Sequence, residues 1–319
     1  MTLKDVAKHA NVSVSTVSKA INGAHDVSEK TRLEILKIAE QLGYFSDKKR
    51  VTLENKDKSS FTVAVICPEI ISMFYSEHVT LISKEVEAYG GNCIVYVYNF
   101  DEKLLSKMIS SCDKDKNIHA IISLAGKVST KNTPLLVETT AEYKIETITS
   151  VDKAAEYLKN LAHKDIGFAG EKLTLSKKEV FKKCCPLNER FIFTSDKRFE
   201  EAGEQAAEFY VKNGLPTAVI CVYDEIAFGL INRLEQLGVS VPGDVSVIGI
   251  NNIKPARYCF GGVTTVETGW GENVIQDIKS LHKLVVENRT DTIRKKIVET
   301  PYIVERSTVK RRIENEKKL

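Results

Sequence analysis

Val12-Ser13-Val14-Ser15-Thr16-Val17-Ser18-Lys19-Ala20-Ile21-Asn22-Gly23 is the stretch on which the reading of this 319-residue chain turns. Val14, Val17, Ala20 and Ile21 recur at helical spacing, which predicts a short amphipathic helix. Ser13 stands where an N-cap belongs, and Asn22-Gly23 where a helix stops. The polar face carries Ser13, Ser15, Thr16 and Ser18, followed by Lys19. A solvated surface helix more often uses Glu, Lys and Gln, which have better helix propensity. Short hydroxyls instead let the backbone come close to phosphates, and a major groove about 12 Å wide admits one helix. The face reads as a DNA contact in preference to plain solvent.

Two further helices frame it. Thr2 caps a helix that runs through Val6, Ala7 and Ala10 and ends at Asn11. Ser28 caps a third, with Leu33, Leu36, Ala39 and Leu42 as its apolar face and Gly43 closing it. Three helices in some 40 residues, the first two joined by a three-residue turn, make a helix-turn-helix layout. Charge points the same way. Residues 1–60 hold 11 Lys and Arg against 8 Asp and Glu, which is the entire +3 excess of the chain. A local cationic excess favours a polyanion, although alone it is more often a solvated surface.

Beyond a polar linker over 46–60 the texture changes. Apolar runs at Thr62–Cys67, Cys93–Tyr98, Ala120–Leu124, Ile166–Ala169, Ala218–Val222 and Val245–Ile250 alternate with helical stretches. The helices are expected near 74–89, 101–111, 150–162, 199–213, 224–237 and 270–288. Buried runs separated by helices predict parallel βαβ units and a doubly wound sheet, here divided between two lobes. In such folds ligands bind in a crevice at the carboxyl ends of strands.

Other classes are weakened by what the chain lacks. It has no P-loop, no GxGxxG after a strand and no HExxH, so no cofactor and no metal are expected. Asp224-Glu225 is a carboxylate pair, but adjacent helical positions diverge by about 100° and do not flank one substrate bond. His119, His163 and His282 have no evident nucleophile or metal partner, so catalysis is not expected. The seven cysteines show no CxxC spacing and read as small apolar residues, with Cys184-Cys185 open as a redox or metal pair. No run of about 18 apolar residues occurs, and Met1–Ala10 carries Lys4, Asp5, Lys8 and His9 in place of a signal core. A cytoplasmic protein is expected, without membrane partners.

At this point a resemblance becomes visible. Leu3-Lys4-Asp5-Val6-Ala7-Lys8, Val12 to Ser18, Ile21-Asn22-Gly23, Val27 to Arg32 and Leu42-Gly43-Tyr44 resemble the head of the lactose-repressor (LacI/GalR) family. Pro216-Thr217-Ala218, Asp224 to Gly229, Leu237-Gly238, Val241 to Gly249 and Thr264-Thr265-Val266 resemble its sensor domain. The resemblance implies a helix-turn-helix head (1–45), a hinge (46–60), an α/β periplasmic-binding-protein-like sensor (61–310) and a charged tail (311–319). Lobe 1 is then 61–140 with 268–291, and lobe 2 is 141–267 with 292–310. It also implies a homodimer on a pseudo-palindromic operator in double-stranded DNA, most often as a repressor under a small-molecule effector.

By position, Val14, Ser15 and Lys19 match the family's base-reading residues. Thr2, Ser13, Thr16, Ser18, Asn22, Ser28 and Thr31 match phosphate or backbone contacts. Lys19 would donate to guanine or to phosphate alone, and Val14 would pack on a thymine methyl. The family's hinge helix pushes a Leu into the minor groove within an Ala-Arg-x-Leu pattern. Here Leu53 is kept, but Arg50 and Val51 stand where Ala and Arg are expected, so Leu53 is either a wedge or a docking residue.

The effector pocket departs further. Lys177, Tyr223 and Asn251 fall where the family grips ligand hydroxyls with Arg, Asn and Asp. Ser72, Met73, Phe74 and Tyr75 occupy the usual Asn-Pro-Phe-Phe loop, from which Ser72, Phe74 and Tyr75 join the expected set, and Asp224 and Thr268 complete it. Three changed polar groups imply an altered ligand, no ligand, or a protein partner in its place. The rival to an operator-specific regulator is a degenerate one that binds DNA loosely and has no effector. The charged stretch Val309–Leu319 shows no leucine heptads, so a tetramer through a C-terminal coil is not expected.

Overall fold

In the computed structural model, which describes residues 3–21, 27–42, 61–124, 128–137, 141–286 and 301–312, the head is a three-helix unit. Helices α1 (Leu3–Ala10), α2 (Val14–Ile21) and α3 (Glu29–Gln41) close around Val6, Ala7, Val17, Ala20, Ile35 and Ala39. Asn11 takes a left-handed φ of 53° between α1 and α2, a conformation that Asn tolerates better than most residues. Leu33, expected on the apolar face of α3, is 63% exposed. Ile35 and Ala39, one turn apart, occupy the buried row, with Ile38 and Leu42 packed beside them.

The first lobe is built on a parallel sheet in the order β2-β1-β3-β4, from β1 (Thr62–Cys67), β2 (Asn92–Val97), β3 (Ala120–Ser123) and β4 (Leu135–Val137). Strand side chains alternate between faces. Val63, Val65 and Cys67 therefore join the cluster under α4 (Met73–Ala88) and α10 (Trp270–Val286). Ala64 and Ile66 join the one under α5 (Glu102–Cys112). Helices on both faces explain why β1 reads as an unbroken apolar run. Gly91 is required at the start of β2, because a Cβ there would lie 2.5 Å from the Phe61 carbonyl. Trp270 at the start of α10 stacks on His78 of α4 with ring centroids 3.5 Å apart. Burial pushes the His78 ring down to about 3, so it stays neutral while bonding the Phe74 carbonyl at 2.7 Å.

The second lobe carries six strands in the order β10-β9-β8-β7-β5-β6. They are β5 (Ile166–Glu171), β6 (Ile192–Ser195), β7 (Ala218–Cys221), β8 (Ser246–Ile250), β9 (Thr265–Glu267) and β10 (Tyr302–Val304), all parallel except β10 against β9. Helices α6 (Ala141–Asn160), α7 (Leu175–Cys184), α8 (Phe199–Asn213) and α9 (Asp224–Gln236) cover the sheet around a single large core. The six anticipated strands are present. β4, β6, β9, β10 and α7 were not anticipated, and α6 begins at 141 where 150 was expected. All seven cysteines are free thiols, four of them buried.

Helices α8 and α9 pack backbone to backbone. A Cβ on Gly203 would lie 2.1 Å from the Ile226 carbonyl oxygen, and one on Gly229 would lie 2.0 Å from that of Glu200. Neither neighbour can rotate away, since both are main chain within helices. Gly203→Ala is expected to force the pair apart and destabilise the second lobe by about 3 kcal/mol, the upper end of ordinary overpacking. Urea unfolding followed by circular dichroism measures this; an unchanged midpoint would show that the helices separate freely.

Candidate DNA interface and interlobe cleft

The two faces of α2 differ sharply. Val17 and Ala20 are fully buried, while Ser13, Val14, Ser15 and Lys19 are exposed and Thr16 and Ser18 half-buried. Ser13 Oγ accepts from the Thr16 backbone N–H at 3.0 Å, so Ser13 is the N-cap. The same oxygen lies 2.7 Å from the Ser15 hydroxyl and 2.8 Å from that of Thr16, making a hydroxyl cluster at the start of the helix. At α3, Ser28 Oγ accepts from Thr31 N–H at 3.2 Å and meets the Thr31 hydroxyl at 2.7 Å. Val14 is 40% exposed. Thr2, Asn22 and Leu53 lie outside the described residues.

The cleft between the lobes has a volume of about 260 Å³. Its walls follow from topology, since most of the lining residues sit just past the carboxyl end of a parallel strand. Pro68 and Glu69 follow β1, Tyr98 and Phe100 follow β2, and Leu124 follows β3. Leu173 and Thr174 follow β5, Arg198 and Phe199 follow β6, Tyr223 follows β7 and Asn251 follows β8. Ser72, Phe74 and Tyr75 reach it from α4, and Ser176 and Lys177 from α7. This is the crevice that open parallel sheets offer to ligands.

One ionic cluster crosses it. Arg198 donates from Nη1 and Nη2 to the two carboxylate oxygens of Glu69, at 2.6 and 2.9 Å, and from Nε to Glu171 at 3.0 Å. Glu69 belongs to the first lobe and the other two to the second. The guanidinium also lies over the rings of Phe199 at 4.3 Å and Phe100 at 5.5 Å. Burial raises the Glu171 carboxyl, and Arg198 opposes that rise. Two weaker links join the lobes nearby: Met73 N–H to Glu225 at 3.3 Å and Lys254 N–H to Glu77 at 3.0 Å.

Of the eight effector residues expected from sequence, Ser72, Phe74, Tyr75, Lys177, Tyr223 and Asn251 line the cleft. Asp224 and Thr268 do not. Asp224 is fully buried, accepting from Thr265 Oγ1 at 2.5 Å and Ile253 N–H at 2.9 Å, and burial pushes it up to about 8. It ties α9 to β9 and to the turn after β8, a structural duty that also requires Gly249, where a Cβ would sit 2.1 Å from Asp224 Oδ1. Thr268 is buried behind β9, its N–H on Glu267. Glu69, Arg198, Tyr98, Phe100 and Phe199 were missed. Positions 68–69 directly follow one apolar run of the sequence, and Tyr98 closes and Phe100 follows another, so the strand-end rule was enough to find them. Arg198 and Phe199 follow β6, which was not identified. Among the described residues no group of three or more His, Cys, Asp or Glu is placed to hold a metal ion. None of the described helices is long and apolar enough to cross a membrane.

Lys177 is the costliest cleft residue. Its ammonium bonds the Val222 carbonyl at 2.9 Å, 4.6 Å over the Tyr223 ring, and burial lowers it to about 8 against the pull of Glu171, Glu225 and Asp224. Below pH 8 both folded and unfolded chains hold this proton, and the burial penalty is present in full. Between about 8 and 10.5 only the unfolded chain keeps it, so stability rises with pH across that window. Lys177→Met is expected to stabilise the fold at pH 7 by about 1–2 kcal/mol, with the advantage shrinking by pH 10. Paired urea titrations at the two pH values check the sign; a less stable variant at pH 7 would mean that the ammonium's bond outweighs its burial.

Comparison with known proteins agrees with both halves of this architecture. Residues 2–47 match the model for bacterial regulatory proteins of the lacI family, and residues 155–309 match the periplasmic binding protein-like domain. Catabolite control protein A of Priestia megaterium is 26% identical, covering 96% of this chain and 98% of its own length. The transcriptional repressor CytR of Escherichia coli K12 is 28% identical over 83% of this chain and 84% of its own. In fold, the lac repressor dimer bound to operator and the anti-inducer ONPF superposes with a TM-score of 0.73 at 19% identity, covering 97% of this chain and 98% of that one. A regulator from Silicibacter pomeroyi gives 0.78 at 21% identity, over 98% and 100%. The chain thus carries the DNA-binding head of the lacI family of bacterial regulatory proteins together with a periplasmic binding protein-like domain.

Proposed function

We propose that this chain is an operator-specific transcriptional repressor, acting in the cytoplasm as a homodimer whose DNA affinity is set by a small molecule in the interlobe cleft. The observation that carries the reading is α2: two buried apolar positions fix it on the head, and its other face offers Val14, Ser15 and Lys19 outward. In a two-fold dimer, two such helices enter successive major grooves of a pseudo-palindrome. Ser13, Thr16, Ser18, Ser28 and Thr31 would seat the head on phosphates, aided by the positive N-terminal ends of α2 and α3. Lys19 would read guanine, and Val14 a thymine methyl. The relatives support repression: CytR and PurR are both named transcriptional repressors. A ligand that favours one closure of the lobes shifts the population of heads spaced to fit the operator, by the difference of its affinities for the two closures.

Selection of genomic fragments by the purified protein, followed by salt-titrated binding of the best one, tests this. The expected outcome is a pseudo-palindrome bound about a thousandfold or more above random duplex. Failure to recover a motif, with binding that fades as salt rises, would establish the loosely binding alternative.

Lys19→Ala separates base reading from phosphate contact. On the selected operator it is expected to weaken binding by about 1–3 kcal/mol and to relax the preference at one guanine position. Equal weakening on every sequence, with a shallower salt slope, would assign Lys19 to phosphate.

A further inference from the structure

We infer that the interlobe cleft takes a small, uncharged, planar molecule that presents a hydrogen-bond acceptor to Asn251 Nδ2, and that the Glu69–Arg198–Glu171 clasp excludes ions from it. The inference rests on the reading of the cleft as the effector site and names the ligand's chemistry.

Three observations converge. The first is charge. Every ionised group on the wall is already engaged: Arg198 with both carboxylates, Lys177 with the Val222 carbonyl and the Tyr223 ring. On the wall Lys177 and Arg198 stand against Glu69, and Glu171, which does not line the cleft but bonds Arg198, brings the local charge into balance. An anion would have to take Arg198 from its partners, and a cation would have to take Glu69. Either exchange leaves a buried charge unpaired.

The second is shape. Phe74, Tyr75, Tyr98, Phe100, Phe199 and Tyr223 all present rings to the cleft. Flat apolar faces favour a stacked occupant. At about 260 Å³ the space is just below the roughly 300–1,000 Å³ of drug-sized sites, which limits the occupant to one or two rings.

The third is an unmet donor. Asn251 is 3% exposed and lines the cleft, yet its Nδ2 has no hydrogen-bond partner. It is the one fully buried, unpartnered side-chain atom on the described wall. Its backbone is held at φ 103°, a region that L residues rarely adopt. The neighbouring bonds of Asn252 to Glu267 and Arg306 and of Ile253 to Asp224 pin the turn in that shape. A buried donor left unmet is destabilising, and an acceptor on the ligand removes that penalty. A sugar brings many hydroxyls to a wall with few groups left to pair them.

The test uses the full chain with benzamide, benzoate, benzamidine and glucose, read by saturation-transfer NMR and thermal shift. Benzamide, benzoate and benzamidine share size and shape and differ in charge. Benzamide is expected to bind with a Kd near 1 mM, as its size allows, and the two ions at least about tenfold more weakly. Asn251→Gly suits the positive φ and should fold normally while losing benzamide binding about tenfold; Asn251→Asp should lose it as well. Glu69→Gln, which loosens the hold on Arg198, should raise benzoate affinity toward that of benzamide. The inference is overturned if either ion binds the unaltered protein as well as benzamide does, or if glucose alone binds. It is equally overturned if benzamide shows no binding at about 10 mM, or if both Asn251 variants bind it unchanged. Operator selection is read separately: a protein that finds its operator but ignores ligand charge sinks only this inference.

Discussion

Arg198 is the residue on which the relation between the two lobes depends. Its planar fork meets Glu69 of the first lobe in a bidentate pair and Glu171 of its own lobe through Nε. Such a cluster, with two buried carboxylates and a guanidinium still 32% exposed, is weak evidence for stability, because the lost hydration offsets much of the Coulombic gain. It is strong evidence for geometry, since a two-bond fork holds both distance and orientation. Removing one partner strands the others, so the lobes separate only by a route that lets water reach all three. Closure in this protein is thus held by its own side chains, and a ligand adds to that hold or competes with it.

Parallel topology puts the clasp where it is. Both sheets aim their strand ends at one crevice, so loops after seven different strands meet there without any long insertion. The scaffold is held by central strands covered on both faces and by interlocked helices, with α8 and α9 close enough to require glycine at 203 and 229. Asp224 belongs to that scaffold. It touches Thr265 and the turn leading away from Asn251, so it sets the cleft wall without lining it.

The legible parts of the fold were those where burial on both faces writes an unbroken apolar run, as at Thr62–Cys67 and Val245–Ile250, and where caps mark a helix, as at Ser13 and Ser28. Ile192–Ser195 was not legible, because Ile192, Phe193 and Thr194 are only half-buried on an edge strand and Thr194 and Ser195 dilute the apolar pattern. With β6 unseen, Arg198 had no strand end to follow. Leu33 misled for a related reason: a Leu three residues from Leu36 fits a helical stripe, but the packing of α1 and α2 selects the row through Ile35 and Ala39. Positions carried over from the family resemblance located Lys177, Tyr223 and Asn251 in the cleft but not Glu69. Pairings between residues 129 positions apart leave no local trace.

The head and the cleft share a physical character that shapes how each binds. Ser13, Ser15 and Thr16 satisfy one another in the free head, as Arg198, Glu69 and Glu171 do in the free cleft. A partner at either place must exchange bonds for bonds, and exchanged hydrogen bonds yield little net free energy. Selectivity then rests on what has no internal substitute. In the head the exposed side chain of Val14 would be one such group, beside the base reading proposed for Lys19, since no neighbouring hydroxyl can replace an apolar contact. In the cleft it is the Nδ2 of Asn251, held beyond reach of any internal acceptor by a backbone turn that its neighbours enforce. Self-satisfied surroundings therefore sharpen recognition: they mute the contacts any partner would make and leave discrimination to the few groups that only the right one completes.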